Sequence, residues 1–358
     1  MSEATAPGPI GTRPLPSLAT LTGVELRRLT ARRFVRFVVL AVAVGLLGVA
    51  AIMFVHSNRN LAAAHARASA AARAVTSHAP VPPASARAAC KKAELAGTLP
   101  AGSCAKLGVP TGPPASVFYQ DPRLFFATSI VRHVEGATIF VGLLAFLVGA
   151  SAVGAEWSAG TFTGLLTLEP RRLRVLVAKT VAVVAGAVLT LLAAQAFEVA
   201  VTALTAATRG SMTGTTTRVL LDALWTALRG VGLVAFLAAS GAAVAGVTRS
   251  TAAALGLLAA YLVGVEVFFV HFVPSWQPWT LKTASTALLS GHATLIPPPG
   301  TANSATFTTC SGANCTSLGV GLGHPLVVSA ARGGTELVVA GAVLLGLWAF
   351  TLLRRDAA

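Results

Sequence analysis

The stretch FVVLAVAVGLLGVAAIMFV, residues 37–55, contains no charged side chain. A helix rises about 1.5 Å per residue, so about 20 such residues cross the roughly 30 Å hydrocarbon core of a bilayer. A helix also satisfies its own backbone hydrogen bonds there. The stretch therefore predicts a membrane-spanning helix. The basic residues between Arg27 and Arg36 indicate which end stays in the cytoplasm.

Five further segments meet the same standard of length and hydropathy. The six run from Phe37 to Val55, Ser129 to Val153, Val175 to Ala203, Leu220 to Val247, Ala252 to Phe272 and Thr335 to Leu353. The composition agrees, because a chain of 358 residues that is 54% hydrophobic and 11% charged has more apolar surface than one soluble core needs. We predict an all-α polytopic membrane protein with six transmembrane helices.

Basic residues near the span ends predict the orientation, because short cytoplasmic segments retain them. They lie before the first span, between the second and third, between the fourth and fifth at Arg249, and after the sixth at Arg354. Both termini are therefore predicted to be cytoplasmic. Two large external loops then cover about 56–128 and 273–334. The formal charge of +15 reflects these clusters, and no zinc-finger or ribonucleoprotein-type motif indicates nucleic-acid binding.

The chain divides into three predicted regions. Residues 1–16 are rich in proline and lack a periodic apolar pattern, which predicts a disordered tail. Residues 17–36 predict a basic interfacial helix that Ser17 caps. Residues 37–358 form the six-span domain. The excess of Arg over Lys and the abundant Ala are typical of a GC-rich bacterial genome.

The four cysteines divide evenly between the two external loops. Cys90 and Cys104 lie in the first loop, and Cys310 and Cys315 lie in the second. Because the exterior is oxidising, we expect two local disulfides, one in each loop. Metal binding is the alternative, and it is disfavoured because the ligand spacing of a zinc site is absent.

The most informative segment joins the second and third spans. It reads GAEWSAGTFTGLLTLEPRRLRVLVAK, residues 154–179, and is short, cytoplasmic and amphipathic in this topology. Gly160 and Thr161 can turn the chain or cap a helix, and Pro170 breaks the element. Leu165, Leu166 and Leu168 offer an apolar contact. Such a loop is suited to docking a soluble partner.

In the order of these residues and in its position between the second and third spans, the segment resembles the type 2 ABC transporter permease family. The matching residues are Glu156, Gly160, Thr161, Leu165, Leu166, Pro170, Arg172 and Lys179. The six-span layout, the basic N-terminal helix and the hydrophobic stretch between the last two spans extend the resemblance over most of the chain. Two features depart from the family: the first external loop is long, and Arg171 directly follows Pro170.

The resemblance implies an ATPase-coupling element from Glu156 to Pro170, with Trp157 inside it and Arg171, Arg172 and Lys179 at its membrane end. Taken singly, each residue also has a structural interpretation. Arg171 and Arg172 would be positive-inside anchors, Gly160 a loop residue and Glu156 a solvated carboxylate. Their combination in one short cytoplasmic loop favours the coupling interpretation.

The energy source is expected in another chain. The sequence has no Gly-x-x-x-x-Gly-Lys-Ser/Thr phosphate loop, so we expect no catalytic residue, cofactor or metal here. The resemblance implies a separate ABC ATPase, present in two copies, that binds ATP and Mg. It also implies a second permease chain in a homo- or heterodimer, and export across a bacterial plasma membrane.

Charged residues within the spans are costly and are functional candidates by default. The acidic ones are Glu135, Glu198, Glu266 and Glu336, with Arg132, Arg229 and Arg332 at similar depth. A layer of ion pairs between helices is the first interpretation, and a gate or substrate contact is the second. Glu198 and Arg229 are the best candidates for a pair, because a short hairpin joins their spans.

Two other functions compete with transport. An intramembrane hydrolase could use Ser151 or Ser240 with His133 or His271, but no nucleophile-elbow or zinc-protease motif is present. A non-transporting membrane anchor or assembly protein, whose external loops bind something, is the other alternative. The loop at 154–179 argues against it.

Overall fold

The structure is a computed structural model that describes residues 17–77, 84–100, 102, 104, 113–161, 164, 171–295, 304–311, 314–321 and 326–354. The tail expected at 1–16 lies outside these ranges. The helices are α1 (Leu18–Ala31), α2 (Arg33–His56), α3 (Leu61–Ser77), α4 (Ala84–Leu95), α5 (Ala115–Phe118), α6 (Phe126–Ser158), α7 (Arg172–Arg209), α8 (Thr217–Thr248), α9 (Thr251–Ala260), α10 (Leu281–Ser290) and α11 (Ala330–Arg354).

Within the described residues, six helical segments are long and apolar enough to cross a membrane, and they confirm the six predicted spans. They are α2, α6, α7, α8, Thr251–Phe272 and α11. The fifth comprises α9, a π-helical segment at Tyr261–Phe269 and a last turn at Val270–Phe272. Each span except the fifth extends beyond its predicted bounds at both ends, by short segments that contain polar residues. The chain is an all-α polytopic membrane protein.

The described residues also contain four short strands that the sequence analysis did not predict. Strand β1 (His292–Leu295) pairs antiparallel with β4 (Leu326–Ser329), and β2 (Ser304–Ser311) pairs antiparallel with β3 (Asn314–Gly321). All four lie in the second large loop. Their threonine and valine content suits a pleated backbone, but their period-2 pattern is too short to stand out beside the long apolar helices.

The chain forms two compact units. The first comprises Met1–Ala50, Ala127–Thr202 and Thr215–Ala358, and the second comprises Ala51–Phe126 and Ala203–Gly214. In the first unit, glycines let α6 and α8 approach closely. A Cβ added to Gly149 would lie 2.2 Å from the Ala238 carbonyl oxygen, and one added to Gly241 would lie 2.2 Å from that of Phe146. Small residues hold membrane helices together in this way.

The segment after the fifth span packs on protein. A 3₁₀-helix, Pro274–Trp279, leaves Trp276 and Trp279 exposed, as an aromatic anchor requires. Helix α10 follows, and it buries Ala284, Ala287 and Leu289. A Cβ on Gly333 of α11 would lie 2.5 Å from the Ala284 carbonyl oxygen, so α10 and α11 are in close contact.

The second unit has its own tertiary contacts. His65 of α3 stacks on Tyr119 with ring centroids 4.3 Å apart. Arg209 donates to the Phe54 carbonyl at 2.9 Å, and its guanidinium lies 3.9 Å from the Phe54 ring centroid. The Cys90–Cys104 disulfide is present, which confirms that prediction. Cys90 belongs to α4, so this disulfide joins a helix to the residues that follow it.

Candidate functional site

Four charged side chains meet where α1, the end of α6 and the start of α7 come together. We call Glu25, Arg32, Glu156 and Lys179 the ion cluster. Lys179 Nζ lies 2.9 Å from Glu25 Oε2 and 2.5 Å from Glu156 Oε2. Arg32 pairs with the other oxygen of Glu156. Two carboxylates and two cations therefore balance one another.

Burial makes this pairing energetically important. The side chain of Lys179 is only 4% exposed, and those of Glu25 and Glu156 are 13% and 14% exposed. An isolated buried charge is very unfavourable, so each of these groups depends on its partners. Lys179 thus joins α1 to α6 through buried ion pairs, in addition to lying at the membrane end of the loop.

The position of Arg32 follows from a break between α1 and α2. Ser17 caps α1 by accepting from the Thr20 backbone at 3.2 Å, as predicted. At the other end, Arg32 is extended, with φ −68° and ψ 130°, and α2 begins at the next residue. This turn directs Arg32 toward α6, where it also donates to the carbonyl oxygens of Ser151 and Ala152 at 3.2 and 3.1 Å.

Helix α6 ends directly after Glu156 and Trp157. Gly160 adopts φ 69°, a left-handed conformation that favours glycine, and its N–H bonds to the Trp157 carbonyl at 3.1 Å. The Thr161 hydroxyl donates to the Glu156 carbonyl at 3.3 Å. Gly160 and Thr161 therefore terminate a helix, as the sequence suggested, and both are exposed.

The apolar tip of the predicted coupling loop, with Leu165 and Leu166, and Pro170 lie outside the described residues. The chain is described again from Arg171, which is exposed. Arg172 donates to the Leu352 carbonyl at 3.0 Å, in the last turn of α11. A cation is favourable at a helix C-terminus because the last carbonyls carry partial negative charge. Arg172 thus connects the start of α7 to the end of the last span.

Trp157 and Arg249 form a further contact at this end of the bundle. The Arg249 guanidinium lies 4.3 Å from the Trp157 ring, a cation–π distance. Arg249 is in the left-handed conformation, φ 56°, at the C-cap of α8. Together with Arg172, this contact ties the residues that flank the loop to α8 and α11.

Sequence reasoning missed the role of two residues. The sequence pattern indicates only a topology signal for Arg32 and assigns no role to Glu25. The available signal was that Glu25 is the only acidic residue between Ser17 and Arg36, in a segment with five arginines. The structural interpretation of Glu156 as a solvated carboxylate is wrong, because its carboxylate pairs with Lys179 and Arg32 and is 14% exposed. Its role in coupling stays a prediction.

The predicted charges within the spans form a more varied set than a layer of ion pairs between helices. Glu336 pairs with Arg332 of its own helix at 2.9 Å. Glu135 accepts from Ser290 at 2.8 Å, and Glu266 accepts from the backbone N–H of Lys282 at 2.9 Å. Among these four acidic residues, and within the described part of the chain, only Glu198 has an ionisable group from another helix within 4 Å, which is the His133 ring at 3.9 Å.

The expected pair between Glu198 and Arg229 is not formed. Helix α8 places Gly230 against α7, since a Cβ on Gly230 would lie 3.1 Å from Nε2 of Gln195, a residue of α7. Arg229, one residue earlier, faces elsewhere, with a guanidinium nitrogen 3.3 Å from the Cβ position of Gly291. A short hairpin brings two helices together, but the rotation of each helix decides which side chains meet.

The described residues contain no group of three or more His, Cys, Asp or Glu side chains that could hold a metal ion. The backbone register of β2 and β3 sets Cys310 opposite Cys315, and the second disulfide stays a prediction. Comparisons of the chain with protein-family models, with curated proteins and with solved structures find no match.

Proposed function

We propose that this chain is the membrane-spanning permease subunit of an ABC-type exporter. The observation that carries the proposal is the ion cluster. It binds the end of α6 to α1 and α7 directly before the predicted coupling loop. The segment that resembles a coupling element is thus fixed rigidly at its base.

The flanks of the loop connect it mechanically to α1 and to three of the six spans. On one side Glu156 is held by Lys179 and Arg32. On the other side Arg172 is bound to the last turn of α11. A force applied to the loop by a soluble partner would therefore move α1, α6, α7 and α11 together, which is what coupling requires.

The remaining parts of the proposal come from the family resemblance. A separate ABC ATPase, in two copies, binds ATP and Mg and supplies the energy. Two permease chains, identical or similar, complete the transporter in a bacterial plasma membrane. The basic residues near the span ends predict that the coupling loop and both termini face the cytoplasm, where the ATPase can reach the loop.

A non-transporting anchor or assembly protein is the second candidate. The observation that favours it is the second unit, which has its own stacked rings, arginine contacts and disulfide. Such a unit can bind an external partner without transport. The two candidates differ in whether an ATPase binds to the loop.

The test is co-purification of a tagged chain from detergent, with an assay for bound ATPase. One variant replaces Gly160 to Leu168 with a Gly-Ser linker, which removes the leucines of the predicted coupling loop and leaves the four residues of the ion cluster unchanged. We expect this variant to remain folded and to lose the ATPase. A matched control replaces Thr213 to Thr215, in the loop between α7 and α8, with Gly and Ser, and it should retain the ATPase.

Glu156→Arg is a second variant with a different expected result. It places a third cation beside Arg32 and Lys179, so it should reduce both ATPase recovery and the thermal stability of the chain. Glu156→Gln, which keeps the shape of the side chain, should have a milder effect on both. Recovery of ATPase that is independent of the linker replacement, or absent from the wild type, would refute the exporter and favour the anchor.

A further inference from the structure

A pocket of about 330 Å³ lies between α2, α6 and α7, away from the ion cluster. Its polar residues are Arg132, His133 and Glu198, and its apolar wall includes Leu46, Val49 and Phe140. Arg132 lies six residues after the start of α6, about 9 Å along the helix. The pocket therefore sits within one end of the membrane-spanning region, at a depth that lipid headgroups and upper acyl chains reach.

Glu198 is the unusual member of this pocket. The residue is 2% exposed, yet its Oε2 has no hydrogen-bond partner among the described residues, since His133 Nδ1 at 3.9 Å is too distant. One turn earlier on α7, Gln195 donates to the Thr138 hydroxyl at 3.2 Å. Buried polar atoms are nearly always paired, so the Glu198 carboxylate requires a hydrogen-bond donor from a ligand.

Arg132 supplies an opposite charge at the same pocket. It is exposed, and it forms no ion pair within the described part of the chain. The nearest acidic residue in sequence, Glu135, is engaged by Ser290. The pocket therefore offers an unpaired acceptor and an accessible guanidinium, which together complement a zwitterion.

The apolar side of the pocket opens toward the surrounding lipid. Val49 and Phe140 are 41% and 37% exposed on spans that face the bilayer. A groove of about 520 Å³ between α2 and α7 shares Leu46 with the pocket and is lined by apolar side chains and Thr190. An acyl chain fits such a groove.

We infer that the pocket binds the headgroup of a zwitterionic phospholipid with a primary ammonium group, such as phosphatidylethanolamine. The ammonium donates to Glu198 Oε2, the phosphate pairs with Arg132, and an acyl chain follows the groove past Leu46. A choline headgroup has no N–H to donate to Glu198, so it should bind less tightly. The inference rests on the membrane-spanning fold and not on the proposed function.

The test is native mass spectrometry of the full chain in a maltoside detergent. The chain is incubated with equal amounts of phosphatidylethanolamine, phosphatidylcholine and phosphatidylglycerol. We expect the wild type to retain phosphatidylethanolamine preferentially. Glu198→Gln should reduce that retention about ten-fold, as loss of a charge-assisted hydrogen bond predicts. Arg132→Gln should weaken all three phospholipids alike, because each has a phosphate.

Gly136 allows the pocket to be filled without disturbing the helices. It lines the pocket, and a Cβ there would meet nothing within 4 Å. Gly136→Leu should therefore abolish phospholipid retention. Gly48→Leu is the matched control, since Gly48 is equally open but lies outside the pocket lining, and it should behave as wild type. Elution volume and thermal unfolding confirm that each variant is folded.

Three results would overturn the inference. One is an unchanged ratio of ethanolamine to choline lipid in Glu198→Gln, and another is equal retention by Gly136→Leu and Gly48→Leu. The third concerns the headgroup: dihexanoyl-phosphatidylethanolamine, below its micellar concentration, should compete with the long-chain lipid. If it does not compete, the acyl chains alone drive binding.

Discussion

The ion cluster and the pocket at Glu198 both bury charge, but they do so in opposite ways. In the cluster, every carboxylate has a cation within 2.9 Å, and three parts of the chain meet there. In the pocket, Glu198 is more deeply buried than Glu156, and its Oε2 has no hydrogen-bond partner among the described residues. A neutralised set of charges joins helices, whereas an unsatisfied carboxylate beside a cavity indicates a ligand.

The difference follows from the elements that supply the charges. Glu25 and Arg32 belong to α1 and its junction with α2, and they reach Lys179 and Glu156 in α7 and α6. The pocket receives charge from α6 and α7, while α2 contributes only apolar residues and glycine. The contrast predicts that removing a charge will have opposite effects at the two sites.

Lys179→Ala should have the largest effect. It leaves Glu25 and Glu156 buried without their shared cation, and loss of one partner of a buried ion pair costs about 3–5 kcal/mol. We expect a strongly lowered unfolding temperature in detergent. Lys282→Ala is the control, because the Lys282 side chain is exposed. If the two variants unfold at the same temperature, the cluster is not a structural joint.

Gly149→Ala should have the second-largest effect, and it compares the close contact between α6 and α8 with the open pocket. Its Cβ would lie 2.2 Å from the Ala238 carbonyl oxygen, a backbone atom that cannot move aside. Overpacking of this kind costs about 1–3 kcal/mol. Gly136→Ala, which meets open space, should be neutral or stabilising by up to about 1 kcal/mol. Thermal unfolding of the two variants measures the contrast, and a lower unfolding temperature for Gly136→Ala than for Gly149→Ala would contradict it.

Glu198→Gln should have a smaller effect of the opposite sign to Lys179→Ala. Without lipid, the substitution removes a buried carboxylate that lacks a partner, so the unfolding temperature should stay the same or rise by the equivalent of about 1 kcal/mol. The measurement is thermal unfolding in a lipid-free maltoside detergent. A loss as large as that of Lys179→Ala would mean that Glu198 is paired in solution.

The smallest effect concerns a solvent-accessible ion pair in the second unit. Arg123 donates to Asp121 at 2.7 and 3.0 Å, and this hydrogen bonding holds the pKa of Asp121 below its ordinary value of 3.8. The contribution of this ion pair to the stability of the folded chain is therefore present above about pH 4 and is lost as the pH falls below that value. Exposed pairs contribute little.

We expect wild type and Asp121→Asn to differ slightly in unfolding temperature at pH 6 and to converge near pH 3. Unfolding followed between these values is the measurement. A difference that grows as the pH falls would show that the pair destabilises the folded chain.

The sequence by itself determined the six spans, the cap at Ser17 and the Cys90–Cys104 disulfide. These features depend on the thickness of a bilayer, on the geometry of one helix or on cysteines 14 residues apart. Each is local, so composition and spacing suffice to predict it.

Only the tertiary structure decided which charges meet. Glu25 and Lys179 are 154 residues apart in sequence, and their contact depends on the turn at Arg32. Arg229 faces Gly291 instead of Glu198 because glycines set how closely the helices approach and how each is rotated. Hydropathy indicates that a helix crosses the membrane, but it does not indicate which way each side chain faces. Successive residues of a helix are about 100° apart, so the rotation of the helix about its axis decides whether a buried charge has a partner.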